Sequence, residues 1–258
     1  MISGASGSGK STLIRLLTTE FVNSDDVEIT GAIPDQIQDY IAILDTQRYE
    51  SLPLIEQIAR AGDIRDAIEI LNSVGLSEAH LYIKRPEQIS DGQRYRFAVA
   101  QLCDSKKPVW IADEFVSTLN PEMSAIVARG LRKIAYKCGA TLILSASHID
   151  SFLQTLLPNK FIMLSWGGEI AVYSLRVEIE QVEKIISLVI NNNGGLPLTN
   201  VEAGLTLRDG SFRLQSTFSR MNPKASVTTQ VKIDVSADKL YAVTVRTAEG
   251  VGDIFYRK

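Results

Sequence analysis

Residues Gly4 through Thr12 read GASGSGKST, and their reading decides how the rest of the chain is parsed. Gly4 to Ser11 fits the pattern G-x-x-x-x-G-K-[ST] of a phosphate-binding loop, and Thr12 follows it. Glycine tolerates the backbone angles that turn successive N–H groups inward, so Gly4, Ala5, Ser6, Gly7, Ser8 and Gly9 can cradle phosphate oxygens. Lys10 is placed to reach the β- and γ-phosphates. The Ser11 hydroxyl is placed to ligate Mg²⁺, and the helix that begins here adds a favourable dipole. The competing reading is a chance glycine-rich turn. The segment KSTLIRLLTTEF argues against it, because Leu13, Leu16 and Leu17 recur at helical spacing on one face. Such a loop normally follows a buried strand, and only Met1, Ile2 and Ser3 precede this one.

Working outward, YIAILDTQ (40–47) reads as a short strand and its exit loop. LIEQIARAG (54–62) and IRDAIEILNSVGL (64–76) have helical spacing, with Gly62 and Gly75 as stops. SDGQRYRFAVAQLC (90–103) reads as a cap and a helix. PVWIADEF (108–115) is a continuous apolar run closing on two acids, which predicts a buried parallel strand. PEMSAIVARGLRKIAYKCG (121–139) is a helix opened by proline and closed by glycine, and ATLILSASH (140–148) is another buried strand. Strands alternating with helices predict an α/β fold with a mostly parallel sheet.

The pattern changes near residue 175. VEIEQVEKIISLVI (177–190) is read as one amphipathic helix, and NNNGGLP (191–197) as a breaker. GLTLRDGSFRLQSTF (204–218) then predicts a hairpin turning at Asp209-Gly210. SVTTQVKIDV, KLYAVTVRT and DIFYRK read as further strands. The expected division is therefore 1–174 for a nucleotide-binding domain and 175–258 for a helix plus a small β-rich appendage.

Composition sets the outer bounds. The formal net charge is -3 over 258 residues, so nothing in the charge balance indicates nucleic-acid binding. The longest apolar runs are too short to span a bilayer. Cys103 and Cys138 are the only cysteines and lack zinc spacing, which fits a reducing cytoplasm, with both thiols expected to be buried structural groups.

Asp113 and Glu114 close the strand VWIADE. An acid at such a strand end holds the magnesium of a P-loop fold, and the next acid is placed to orient or deprotonate an attacking water. A solvated strand end is the alternative when the pair is taken alone. His148 ends the next strand, where an isolated histidine is more often structural. His80 has no such context and is expected at the surface or in packing, and Trp110 is expected to fill core.

The segment ISDGQRYRFAVAQL (89–102) resembles the signature sequence of ABC-type ATPases, usually written LSGGQ and followed by an arginine-containing helix. The surrounding order is similar too. Gln47 follows IAILDT where this family has its Q-loop, and SLPLIEQI comes after it. AIEILNSVGL resembles the helix before the signature, STLNPE the D-loop, and LSASH the strand carrying the switch histidine. The likeness covers roughly residues 2 to 170. It implies a P-loop fold with a helical signature subdomain, and head-to-tail dimerisation with itself or another ABC domain, with ATP between the P-loop of one and the signature of the other. Ser90, Gly92 and Gln93 would then contact the γ-phosphate held by the partner. Glu114 would be the general base. Gln47 would contact Mg²⁺ and the attacking water, and His148 would sense the γ-phosphate.

Departures from the pattern are specific. Asp91 stands where the signature has glycine, Asn120 where the D-loop has aspartate, and Phe115 where proline is common. The family's N-terminal antiparallel sheet and adenine-stacking aromatic are not visible before Gly4. Three explanations stay open: a fragment of a longer protein or a truncated gene start, which is favoured; a permutation in which the C-terminal strands substitute; or weak adenine binding. The leading expectation for the role is a soluble ABC-type ATPase, similar to those fused to acetyltransferase-like domains, acting on a partner that the sequence does not name. The alternatives are the ATP-binding subunit of a transporter or a non-hydrolysing regulatory module. RTAEGVG (246–252) is read as a turn between strands rather than an acyl-carrier-binding loop.

Overall fold

The computed structural model describes residues 1–18, 39–58, 63–236 and 238–256. The expected helix stop at Gly62 lies outside these. The chain forms two compact units, one of Ile2–Leu156 and one of Leu157–Lys258 together with Met1.

The first unit contains β1 (Ile2–Gly4), α1 (Lys10–Leu17), β2 (Ile41–Ile43), α2 (Leu54–Ile58), α3 (Ile64–Ser73), α4 (Ala79–Tyr82) and α5 (Asp91–Asp104). It continues with β3 (Val109–Ala112), α6 (Pro121–Cys138), β4 (Thr141–Ala146) and α7 (Leu153–Leu156). Its strands lie in the order β1-β4-β3-β2, and every pairing is parallel. The continuous apolar run at 109–112 explains its central place. Trp110, Ile111 and Ala112 are all fully buried, as a strand covered on both faces requires.

Helix α6 shows how the sequence sets its own limits. The Asn120 side chain accepts from the Met123 N–H at 2.9 Å, Pro121 opens the helix, and Gly139 closes it with φ 71°. Its buried stripe includes Val127, Leu131, Ile134 and Ala135. At Gly130 a Cβ would lie 1.7 Å from the Ser73 carbonyl oxygen, so only glycine lets α6 meet the end of α3.

Two expectations on this unit need correction. Helix α1 buries Ile14 rather than a Leu13/Leu16/Leu17 face, and Leu17 is 38% exposed. Lys10 must point into its own loop, and Ile14 and Thr18 follow it inward at i+4 and i+8. Cys138, expected to be buried, is exposed at the last residue of α6, whereas Cys103 is buried and its thiol is pushed upward in pKa by desolvation.

The second unit is all antiparallel. One sheet runs β5 (Lys160–Leu164), β6 (Ile170–Val182), β7 (Ile185–Asn192) and β10 (Ser226–Lys232). The other has the order β12-β11-β8-β9, from β8 (Leu198–Leu207), β9 (Phe212–Met221), β11 (Leu240–Arg246) and β12 (Gly252–Tyr256). Leu188, Ile190 and Val231 from the first and Leu198, Val201, Leu205 and Val245 from the second are fully buried. The Asp209-Gly210 turn joins β8 to β9 as expected, with Gly210 at φ 86° and Ser211 N–H donating to Asp209. RTAEGVG is the β11–β12 turn, where Glu249 accepts from the Thr199 N–H and hydroxyl.

The helix expected over 177–190 is instead the β6–β7 hairpin, with Glu183 at φ 53° in its turn. Val177, Ile179 and Ile186, Leu188, Ile190 alternate with polar or outward residues at period two, and β-branched side chains favour that choice. A turn without glycine hid the reversal. The boundary also moves forward: β6 begins at Ile170, so a division at 174/175 would cut a continuous strand.

Candidate functional site

In a parallel sheet all strands end on the same side, and loops leaving those ends converge there. Here the end of β1 carries Gly4–Gly9, the end of β3 carries Asp113 and Glu114, the end of β4 leads to Ser147 and His148, and the loop after β2 carries Gln47. The register places them: Ser3 pairs with Ala146, Ala112 with Leu144, and Ile43 with Ile111.

The glycine loop has the conformation its sequence predicts. Gly7 and Gly9 have φ 79° and 93°, and Gly9 is the N-cap residue of α1. Around a Cβ built on Gly9 there is open space. Lys10 is 4% exposed and donates from Nζ to the carbonyls of Gly4 at 2.8 Å and Ala5 at 2.9 Å. An ammonium has three donors, so one remains for an anion in the cradle. The Ser8 hydroxyl is buried with no hydrogen-bond partner among the described residues. An orphaned buried hydroxyl in a glycine-rich loop is what a bound phosphate would satisfy. Ser11 and Thr12 begin α1 beside it.

Asp113 and Glu114 are exposed at the end of β3. Asp113 accepts a short hydrogen bond from the buried Ser145 hydroxyl, whose oxygen accepts from the Glu114 N–H at 3.1 Å. Ser147 donates to Glu114 Oε1 at 3.3 Å. Glu114 and Val116 have φ 50° and 55°, uncommon for any residue but glycine and an outlier for a β-branched one. Phe115 turns inward and meets Phe152 edge to face at 5.4 Å, which explains an apolar residue at this point. His148 is exposed and shares with Glu114 the wall of a cavity of about 260 Å³, also lined by Val116, Leu119, Pro121 and Ser147. Gln47 is exposed, with its N–H donating to Asp45 at 2.9 Å.

The signature-like residues form the start of α5. Ser90 is its N-cap: its hydroxyl accepts from the Gln93 N–H at 3.3 Å, and Gln93 Oε1 accepts from the Ser90 N–H at 3.0 Å. A Cβ on Gly92 would meet Leu119 Cδ2 at 3.6 Å. Among the described residues no hydrogen bond joins Ser90, Gly92 or Gln93 to the glycine loop. Asp91 pairs with Arg94, which compensates its charge, and Arg96 donates to the Gly75 carbonyl and braces α5 on the end of α3. Asn120, in the aspartate position, is occupied in capping α6. Sequence reading missed Ser145, Ser147 and Tyr95, whose hydroxyl accepts from the Val116 N–H at 2.7 Å. The parallel register would have flagged Ser145, one residue beyond the Ala112–Leu144 pair.

Residues 1–117 match the family described as ABC transporter. Over these residues the chain is similar to that family. The ABC segment is 34% identical over 170 residues to the methionine import ATP-binding protein MetN of Rhizobium etli, covering 58% of this chain and 46% of the relative. It is 28% identical over 179 residues to the phosphonates import ATP-binding protein PhnC of Hydrogenovibrio crunogenus, covering 60% and 65%. The chain thus spans about half the length of the methionine import relatives. Among solved structures, the ADP conformation of an ATP-binding cassette of an ABC transporter superposes with TM-score 0.51 at 21% identity, over 67% of this chain and 78% of that one. This likeness establishes the ABC fold, with its P-loop core and mostly parallel sheet. Trp110 and His80 take the positions expected of them, fully buried in β3 and exposed on α4.

The donor set fits the implied ligands. Magnesium in such a loop takes one or two carboxylates plus a hydroxyl and phosphate oxygens rather than an all-protein cage. No cluster of three His, Cys, Asp or Glu side chains that could hold a metal ion occurs among the described residues.

Proposed function

We propose that this chain binds MgATP at Gly4–Thr12 and hydrolyses it in a composite site completed by a second ABC domain, either another copy or a related chain. The observation that carries this is the convergence of the Lys10 cradle, Asp113, Glu114, His148 and Gln47 at the ends of four adjacent parallel strands. Lys10 holds the β- and γ-phosphates; Ser11 and Asp113, with Gln47, hold the metal. Magnesium, when bound, neutralises charge on the phosphate oxygens. Glu114 accepts a proton from the water that attacks the γ-phosphorus, and the bond to the leaving ADP oxygen breaks. His148 contacts the γ-phosphate. Ser90, Gly92 and Gln93, exposed or half-exposed at the start of a 14-residue helix, present the Ser90 hydroxyl, the Gly92 N–H, the Gln93 side-chain amide and a positive dipole end to the partner's nucleotide.

The names of the relatives favour one role over the other. Both are ATP-binding proteins of import systems. This supports the transporter ATP-binding subunit over the soluble, acetyltransferase-related kind. Among the described residues no helix is long and apolar enough to cross a membrane, so a membrane part would come from another chain or segment. The ATP site would then work on the cytoplasmic side. Phosphate release tests the reading: wild type should turn over ATP, and Glu114→Gln should lose turnover by at least about 100-fold while retaining ATP binding. Equal background rates for the two would defeat it.

A further inference from the structure

Tyr95 lies on α5, two residues beyond Gln93, and is 7% exposed. Its hydroxyl oxygen is the acceptor for the Val116 N–H at 2.7 Å. Val116 is itself 4% exposed and at φ 55°, two residues after Glu114 at φ 50°. A buried N–H left without an acceptor is costly, and a β-branched residue resists a left-handed backbone. The segment 114–119 therefore holds its shape only under restraint. Two internal turns hold it, Ser117 N–H to the Glu114 carbonyl at 3.1 Å and Leu119 N–H to the Val116 carbonyl at 3.0 Å. The Phe115 N–H donates to the Ser145 carbonyl at 2.7 Å and anchors the inward side. Helix α5 restrains the other side, through the Tyr95 hydroxyl and through Leu119 beneath Gly92.

We propose that Tyr95 is a positioning residue for Glu114: its hydroxyl fixes the strained turn at Val116 and so sets the carboxylate's approach to the attacking water. The proposal rests on the reading of Glu114 as general base. Burial pushes the Tyr95 phenol up to about 12, so the hydroxyl stays neutral, and its role is that of a fixed acceptor.

The test compares four proteins by steady-state ATP hydrolysis, ATP binding and thermal unfolding: wild type, Glu114→Gln, Tyr95→Phe and Tyr95→Phe/Val116→Gly. Tyr95→Phe keeps the ring and removes only the acceptor. It should lower kcat at least about tenfold, leave KM for ATP within about twofold, and retain ATP binding. Glycine adopts φ near 55° without strain, so Val116→Gly in the Tyr95→Phe background should recover most of the lost kcat. A general structural role would not show this split, nor this rescue. If Glu114→Gln abolishes turnover but Tyr95→Phe leaves kcat unchanged, positioning by Tyr95 is wrong and the base assignment stands. A kcat loss in Tyr95→Phe that follows a lowered Tm and persists in the double variant overturns the proposal equally. If Glu114→Gln turns over like wild type, Glu114 is not the base and the positioning role falls with it.

Discussion

Lys10 and Asp104 show how a single charged residue takes its behaviour from its surroundings. Lys10 is nearly buried, yet it is saturated only in part, by two carbonyls of its own loop. Lys10→Ala should therefore abolish ATP binding, measured by equilibrium titration with labelled nucleotide, while the fold persists by circular dichroism. Asp104 ends α5, where the helix dipole is unfavourable to an anion, and partial burial raises its pKa to about 6. A carboxyl whose folded pKa is raised destabilises the fold once pH rises above its unfolded value near 4, and the cost is complete above about 6. Asp104→Asn should stabilise by about 1 kcal/mol at pH 7.5, after discounting for solvent screening, with the gain shrinking towards pH 4. Urea titrations at the two pH values measure it. The glycines, Lys10 and the acid pair were legible from the sequence because phosphate chemistry admits few residue types at fixed spacing. Ser145 and Tyr95 were not, because each matters only through a neighbour 32 or 21 residues away in the chain.

At the level of elements, close approach decides more than propensity does. Helix α6 has the caps and the apolar stripe that its sequence announces, but its contact with α3 depends on the missing side chain at Gly130. Gly130→Ala would improve helix propensity by about 1 kcal/mol and still destabilise, by a net of about 2–3 kcal/mol in chemical denaturation, because the Cβ meets backbone that cannot rotate away. Lys137 donates to Glu69 at 3.0 Å across the same pair of helices, an exposed contact that adds little. Helix α1 and the β6–β7 hairpin mark the limit of pattern reading. In α1 the loop lysine selects the inward face. In 177–190 an apolar run fits both periods, and only cross-strand pairing of Val177 with Ile190 and Ile179 with Leu188 resolves it.

For the molecule as a whole, two units with different architecture make different demands. The antiparallel unit is tied internally by Asn192, fully buried, whose amide donates to the carbonyls of Leu196 and Met221 and accepts from the Gly194 N–H. Gln215 adds a second tie, pairing with both the N–H and the carbonyl of Lys232 as a strand residue would. Asn192→Ala should cost about 3 kcal/mol, since it strands two buried polar groups and a third that is part-buried, and far-ultraviolet circular dichroism during heating would report it. MgATP at about 100 times its Kd should stabilise the unit that holds the glycine loop by about 2.7 kcal/mol, an effect that Lys10→Ala removes. A differential scanning measurement with and without nucleotide checks this.

The sequence by itself determined the phosphate loop, the acid pair, the signature-like helix and the order of strands and helices around them, because each depends on local spacing and backbone freedom. Tertiary structure alone decided the inward face of α1, the hairpin at 177–190, the capping duty of Asn120 and Gln93, and the hydrogen bonds of Ser145 and Ser147 to Glu114 and of Tyr95 to Val116. These depend on which groups lie opposite one another once the chain has folded, and a buried hydrogen bond is decided by its partner rather than by its neighbours in sequence.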